Sequence, residues 1–212
     1  GDFAVACARG YDQPASAAGG CWSFGRNIGG TSKWGVIDPL VPTAALVASD
    51  AFGTVASMST SYVAIGSASA NTNAGRVWIF GVNKNGVGKF GAITVKNGAG
   101  SDLFGTSVSV SGTYIAVGTG KANSGSVTIY EASQGGAEAF GVVKTVVSPV
   151  PLTNENFGAA CHLNIPYLVV GSPFSSSVSS VTSNAWLFSQ NNGGSNQFGN
   201  VSMLSTSFIS QT

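Results

Sequence analysis

Charge is scarce in this sequence, and its scarcity excludes more than any motif does. Lys, Arg, Asp and Glu make up 8% of the 212 residues, nine basic against eight acidic, for a net charge of +1. A field this weak gives nucleic acid or an anionic membrane surface nothing to be drawn to, so neither is expected as a partner. A single histidine, His162, ties every Ser-His-Asp or Cys-His arrangement to that one residue. No apolar run approaches the roughly 18 residues a spanning helix needs, so membrane insertion is not expected. Helical periodicity is almost absent. The sequence opens at Gly1-Asp2-Phe3 with no initiator Met, basic n-region or signal-peptide core, as a processed mature chain or a fragment does.

What is abundant is glycine, 30 residues of it, together with Ser, Thr, Ala, Asn and Val, which is the composition of an all-β chain with many turns. Such a chain normally keeps its sheets apart with charged edges and a net charge well away from zero. This one has neither. The composition therefore points to a protein packed against copies of itself or covered by sugar, with an ordinary secreted domain carrying a Ser/Thr surface as the plain alternative.

Phe-Gly recurs at Phe52-Gly53, Phe104-Gly105 and Phe157-Gly158, every 52 to 53 residues. A period near 50 with several short strands per unit indicates propeller blades or a similar radial array. Each unit parses into four strands. Strand A follows Phe-Gly (Thr54 to Met58, Thr106 to Val110, Ala159 to Leu163). Strand B begins at an aromatic (Phe3, Tyr62, Tyr114, Tyr167). Strand C is the most aromatic (Cys21 to Phe24, Val77 to Phe80, Val127 to Tyr130, Ala185 to Phe188). Strand D starts at a second aromatic-Gly pair (Trp34-Gly35, Phe90-Gly91, Phe140-Gly141, Phe198-Gly199). The expectation is one domain over 1–212: a β-propeller of about four short four-stranded blades, with repeats at about 1–49, 50–101, 102–154 and 155–212. Pro39, Pro42, Pro149 and Pro151 fall in the D-to-A crossings, where no central ladder needs their missing N–H.

The first unit begins at strand B and has no strand A. An unpaired edge is adhesive, so something must fill the place. The tail Thr206 to Thr212 can return to it, another copy can donate a strand, or residues preceding Gly1 can supply it.

These repeats resemble the FG-GAP repeats of integrin α-subunit propellers and their bacterial and protist relatives. In those, Phe-Gly is followed by a strand, a turn and an apolar strand ending in Gly-Ala-Pro. The corresponding residues here are Gly66-Ser67-Ala68, Gly118-Thr119-Gly120 and Gly171-Ser172-Pro173, the last being nearest the pattern. Calcium-binding members carry an Asp-rich loop between strands A and B, because calcium needs six to eight oxygen ligands. The equivalent turns here, Ser59-Thr60-Ser61, Ser111-Gly112-Thr113 and Asn164-Ile165-Pro166, contain no carboxylate. No metal and no cofactor are expected.

Candidate chemistry is sparse. Cys161 and His162 are strand neighbours and point to opposite faces, so they do not form a dyad. Asp50, Asp102 and Glu155 each precede a Phe-Gly by two residues, and repeat equivalence assigns them to turn capping over acid/base work. No catalytic residue is expected. Trp22, Trp78 and Trp186 occupy equivalent places and read as inter-blade packing. Cys7 ends one strand B and Cys21 opens the following strand C, so the two face each other and a disulfide is expected, with an oxidising compartment implied. Asn200-Val201-Ser202 is an N-glycosylation sequon. The Ser175 to Ser183 run reads as a solvated insertion in the fourth B-to-C loop, with Ser175, Ser176, Ser177, Ser179, Ser180 and Thr182 as O-glycan candidates.

Two functions follow. One is a non-enzymatic extracellular or cell-surface structural protein that self-associates into a filament, sheath or surface assembly, its partners being copies of itself. The other, implied by the resemblance, is an adhesion or ligand-binding propeller that recognises protein or glycan through the loops Arg9 to Gly20 and Ser172 to Asn184.

Overall fold

The computed structural model describes residues 2–86, 88–121, 125–151, 155–177 and 180–205. Among these residues, short alternating runs punctuated by glycine fold as fifteen strands in four antiparallel sheets, each a meander of consecutive strands. Sheet one contains β1(Phe3–Ala8), β2(Gly20–Arg26) and β3(Trp34–Pro39). Sheet two contains β4(Val55–Met58), β5(Tyr62–Ser67), β6(Arg76–Val82) and β7(Phe90–Asn97). Sheet three contains β8(Phe104–Ser111), β9(Tyr114–Thr119), β10(Ser126–Glu131) and β11(Gly141–Val147). Sheet four contains β12(Ala160–Asn164), β13(Tyr167–Ser177), β14(Ser180–Ser189) and β15(Gly199–Ser205). The strands expected from the repeat all form. The β8–β9 hairpin closes through Gly112-Thr113, where Gly112 supplies a φ of +58° that a side chain would resist.

The sheets stack face to face in chain order. Three hydrophobic cores lie between them, one for each successive pair, and among the described residues none joins sheet four to sheet one. The architecture is that of four propeller blades, with no ring-closing core among the described residues. Alternation makes each interior strand apolar on both faces. In β5 and β6, for example, Val63, Ile65, Trp78 and Phe80 face sheet one, while Ala64, Val77 and Ile79 face sheet three. Each sheet carries a bulge between strands C and D, at Ile79/Phe80, Ile129/Tyr130, Leu187/Phe188 and Trp22/Phe24. In sheets two and three the extra residue, Ile93 or Val143, turns into the core shared with the next sheet.

Phe-Gly explains the stacking. The N–H of Phe52 donates to the Ala18 carbonyl at 2.9 Å and that of Phe104 to the Ala74 carbonyl at 3.1 Å, so each motif clips its own sheet to the loop before strand C of the preceding one. Gly19, Gly75 and Gly125 receive the clasp, and a Cβ at any of them would fall on the backbone of Phe52, Phe104 or Phe157. The motif's own glycines, Gly53, Gly105 and Gly158, have φ of +94°, +84° and +89°, so both halves of the clasp require glycine. Serines add rungs between the first strands of successive sheets. Ser57 Oγ accepts the Val110 N–H at 3.0 Å and Ser109 Oγ accepts the Leu163 N–H at 2.9 Å.

The Ser-rich run departs from expectation. It is not a loop. β13 and β14 continue past the sheet as a paired ribbon with Ser175 opposite Thr182, Ser176 opposite Val181 and Ser177 opposite Ser180, beyond a register shift between Ser172 and Ser175. Val and Thr interspersed among the serines are compatible with a strand, and backbone pairing satisfies polar groups that a loop would leave to water. Of the O-glycan candidates, Ser179 lies outside the described residues, as do the side chains of Ser175, Ser176, Ser177, Ser180 and Thr182.

Candidate functional site

The residues that could carry chemistry are dispersed. His162 is exposed on β12, and Cys161 beside it turns its sulfur the other way, into the core between sheets three and four. Ser107 donates to Cys161 Sγ at 3.2 Å, and burial pushes the thiol up to about 11, the opposite of what a nucleophile needs. The three carboxylates before Phe-Gly serve their own sheets. Asp50 accepts the Val47 N–H at 3.0 Å and lies 3.7 Å from Arg76. Glu155 accepts Ser148 Oγ at 2.9 Å, while Ser172 donates to its carbonyl at 3.0 Å. Asp102 pairs with Lys121 at 2.9 Å. Among the described residues no three His, Cys, Asp or Glu side chains come together as a metal set, and no helix is long and apolar enough to cross a membrane.

Cys7 and Cys21 are directly opposite in the β1–β2 ladder and joined by a disulfide, with Cα atoms 4.0 Å apart. Gly53 of the first clasp packs against this disulfide. Asn200, the sequon residue, is exposed on β15, the outermost strand of sheet four, and its carbonyl accepts Asn192 Nδ2 at 2.8 Å.

Sheet one differs from the others in what covers it. Trp78 and Trp186 are 1% and 3% exposed, packed against the preceding sheet as their repeat positions imply. Trp22 is not. Among the described residues no sheet covers it, and it is half-buried with Tyr11 of its own B-to-C loop edge-on at 5.1 Å. Phe52 makes the corresponding edge-on contact to Trp78 at 5.0 Å. Tyr11 therefore does for Trp22 what a Phe-Gly phenylalanine does for Trp78. Between this loop and the crossing that follows β3 lies a pocket of about 270 Å³, lined by Tyr11, Pro14, Trp22, Leu40, Pro42 and Leu46 among others, with no charged side chain in its wall. Sequence reasoning singled out the Arg9 to Gly20 loop but not this pocket. The available signal was a repeat-equivalent Trp beside a B-to-C loop that brings its own aromatic, Tyr11.

Residues 88–130 match the family model of the FG-GAP repeat. The matched span runs from the start of strand D in sheet two through strands A, B and C of sheet three, so it is centred on the Phe104-Gly105 clasp. The chain thus carries an FG-GAP repeat within an all-β stack of antiparallel sheets. That repeat points to an adhesion or ligand-binding type of module, and domains built from it are generally non-enzymatic. No curated protein matches the chain.

Proposed function

We infer that this chain is a non-enzymatic, extracellular structural module that associates with copies of itself into a larger assembly. One observation carries the reading. Among the described residues three inter-sheet contacts are closed and the apolar faces at the two ends of the stack are uncovered, with Trp34 49%, Val36 54%, Tyr167 52% and Leu204 52% exposed. A repeat stack in water needs polar caps at its ends or a partner there, and these ends are not polar. The disulfide and the exposed sequon of Asn200 fit an extracellular or cell-surface location. Sedimentation velocity over a concentration series, followed by electron microscopy, tests this. Concentration-dependent growth into regular oligomers or filaments is expected, and a single monomeric boundary at every concentration would overturn it.

A second reading rests on a separate observation, the uncharged aromatic and proline pocket of sheet one. It fits a neutral ligand surface, a glycan ring or an apolar side chain of a partner protein, bound as an adhesion module binds. Glycan-array and pull-down binding that Tyr11→Ala abolishes would favour this reading over the first. Binding that Tyr11→Ala leaves intact would exclude the pocket.

A further inference from the structure

The closed contacts in the stack share one recurring pair of aromatic positions, in ring contact in two of them and in a common core in the third. The first residue of strand B in one sheet reaches the first aromatic of strand D in the next. Phe3 meets Phe90 edge-on at 5.8 Å, Tyr62 meets Phe140 edge-on at 5.0 Å, and Tyr114 shares a core with Phe198. The series leaves one member of each kind over. Among the described residues no sheet covers the Tyr167 face of sheet four or the Trp34 face of sheet one: Tyr167, which begins strand B, is 52% exposed, and Trp34, which begins strand D, is 49% exposed.

The surroundings of the two match as well. Around Trp34, Phe24 and Val36 stand at the positions where Phe80 and Ala92 line the core between sheets one and two. Around Tyr167, Val201 takes the bulge position that Ile93 and Val143 fill in closed contacts, and it is 50% exposed. The clasp narrows the choice of occupant further. Sheets one to three offer Gly19, Gly75 and Gly125 to an incoming Phe-Gly, but sheet four has Ser183 at that place, whose Cβ would meet the incoming backbone. Sheet four is therefore not built to receive a sheet that brings a Phe-Gly clasp. Among the described residues sheet one carries no Phe-Gly clasp either, so neither exposed face shows that device.

We propose that the Trp34 face of sheet one docks on the Tyr167 face of sheet four of a second copy, forming a head-to-tail contact that repeats the three internal ones without a clasp. This rests on the self-association reading and names its surfaces. The two faces differ, so the contact is heterologous and propagates into a filament or closes into a ring of copies.

Trp34→Asp and Tyr167→Asp place a charge at half-exposed positions, and unchanged thermal melting confirms that each variant folds. Sedimentation velocity should show assembly by the parent chain and none by either variant alone. An equal mixture should form a one-to-one dimer that grows no further, because each variant keeps the face the other lacks. The milder Trp34→Ala and Tyr167→Ala should weaken assembly at least tenfold. A parent chain that assembles alongside aspartate variants that assemble equally well overturns these surfaces and leaves self-association standing. A parent chain that stays monomeric at every concentration overturns both, and a Trp34 fluorescence shift on Tyr167→Asp in that monomer would place the two faces in contact within one chain.

Discussion

Sheets one and three secure the same place by different bonds. Where strand B ends and strand C begins, sheet three relies on a side-chain hydroxyl, with Thr119 Oγ1 accepting the Ser126 N–H at 2.8 Å and donating to the Ser126 carbonyl at 3.3 Å. One rung away on sheet one stands the Cys7–Cys21 disulfide. The difference follows from the neighbours. β9 pairs with β8 on one side and β10 on the other, and sheet three has a packed sheet on each face. Among the described residues β1 pairs only with β2, and sheet one is packed on one face. Fewer contacts hold the end unit, and a covalent bond makes up part of the deficit by restricting the unfolded chain.

The largest expected contrast is between equivalent tryptophans. Trp78→Ala removes a ring enclosed by two sheets and should cost about 4 kcal/mol in denaturant unfolding of the monomer. Trp22→Ala, which exposes a half-covered ring, should cost roughly 1 kcal/mol, because less apolar area is returned to water. Equal losses would break the distinction between end and interior units. Next comes the lock itself. Replacing Cys7 and Cys21 together by Ser should lower stability by about 3 kcal/mol, given a sequence separation of 14 residues, against about 1 kcal/mol for Thr119→Val. The reverse order, read by the same unfolding curves, would mean that sheet one is held mainly by contacts other than the disulfide.

The smallest effect concerns Cys161, in the closed contact between sheets three and four. Burial pushes its thiol up to about 11, above the ordinary range of a free cysteine, so the neutral form favours the folded state. That contribution is complete below pH 9 and is lost as pH rises through 11. Thiol labelling at neutral pH should therefore be slow in the folded chain and fast in denaturant, and Cys161→Ala should flatten the alkaline part of the stability profile. Rapid labelling of the native protein would show that the contact between sheets three and four opens readily.

Much of this was legible in the residues. The 52 to 53 residue spacing of Phe-Gly and the aromatic openings of strands B and D located every strand, because alternation and turn chemistry are local properties. The facing cysteines were legible for the same reason, since antiparallel register follows from the hairpin. The turn of sheet three that lacks carboxylates, Ser111-Gly112-Thr113, could likewise be read without coordinates. The Ser175 to Thr182 ribbon misled the sequence reading, because low complexity marks composition and says nothing about pairing. Trp22 misled it too, because equivalence along a repeat does not reveal which copies another described sheet covers.

The sequence by itself determined the repeat, the strand order within each sheet and the charge-poor surface, since all three depend on side-chain identity and short-range spacing. Only the tertiary structure decided which copies of a repeated residue are covered. Burial of Trp78 and exposure of Trp34 depend on what stands on the far side of a sheet, and that is a property of the stack. The same long-range fact leaves Tyr167 without the aromatic partner that Phe3 and Tyr62 find.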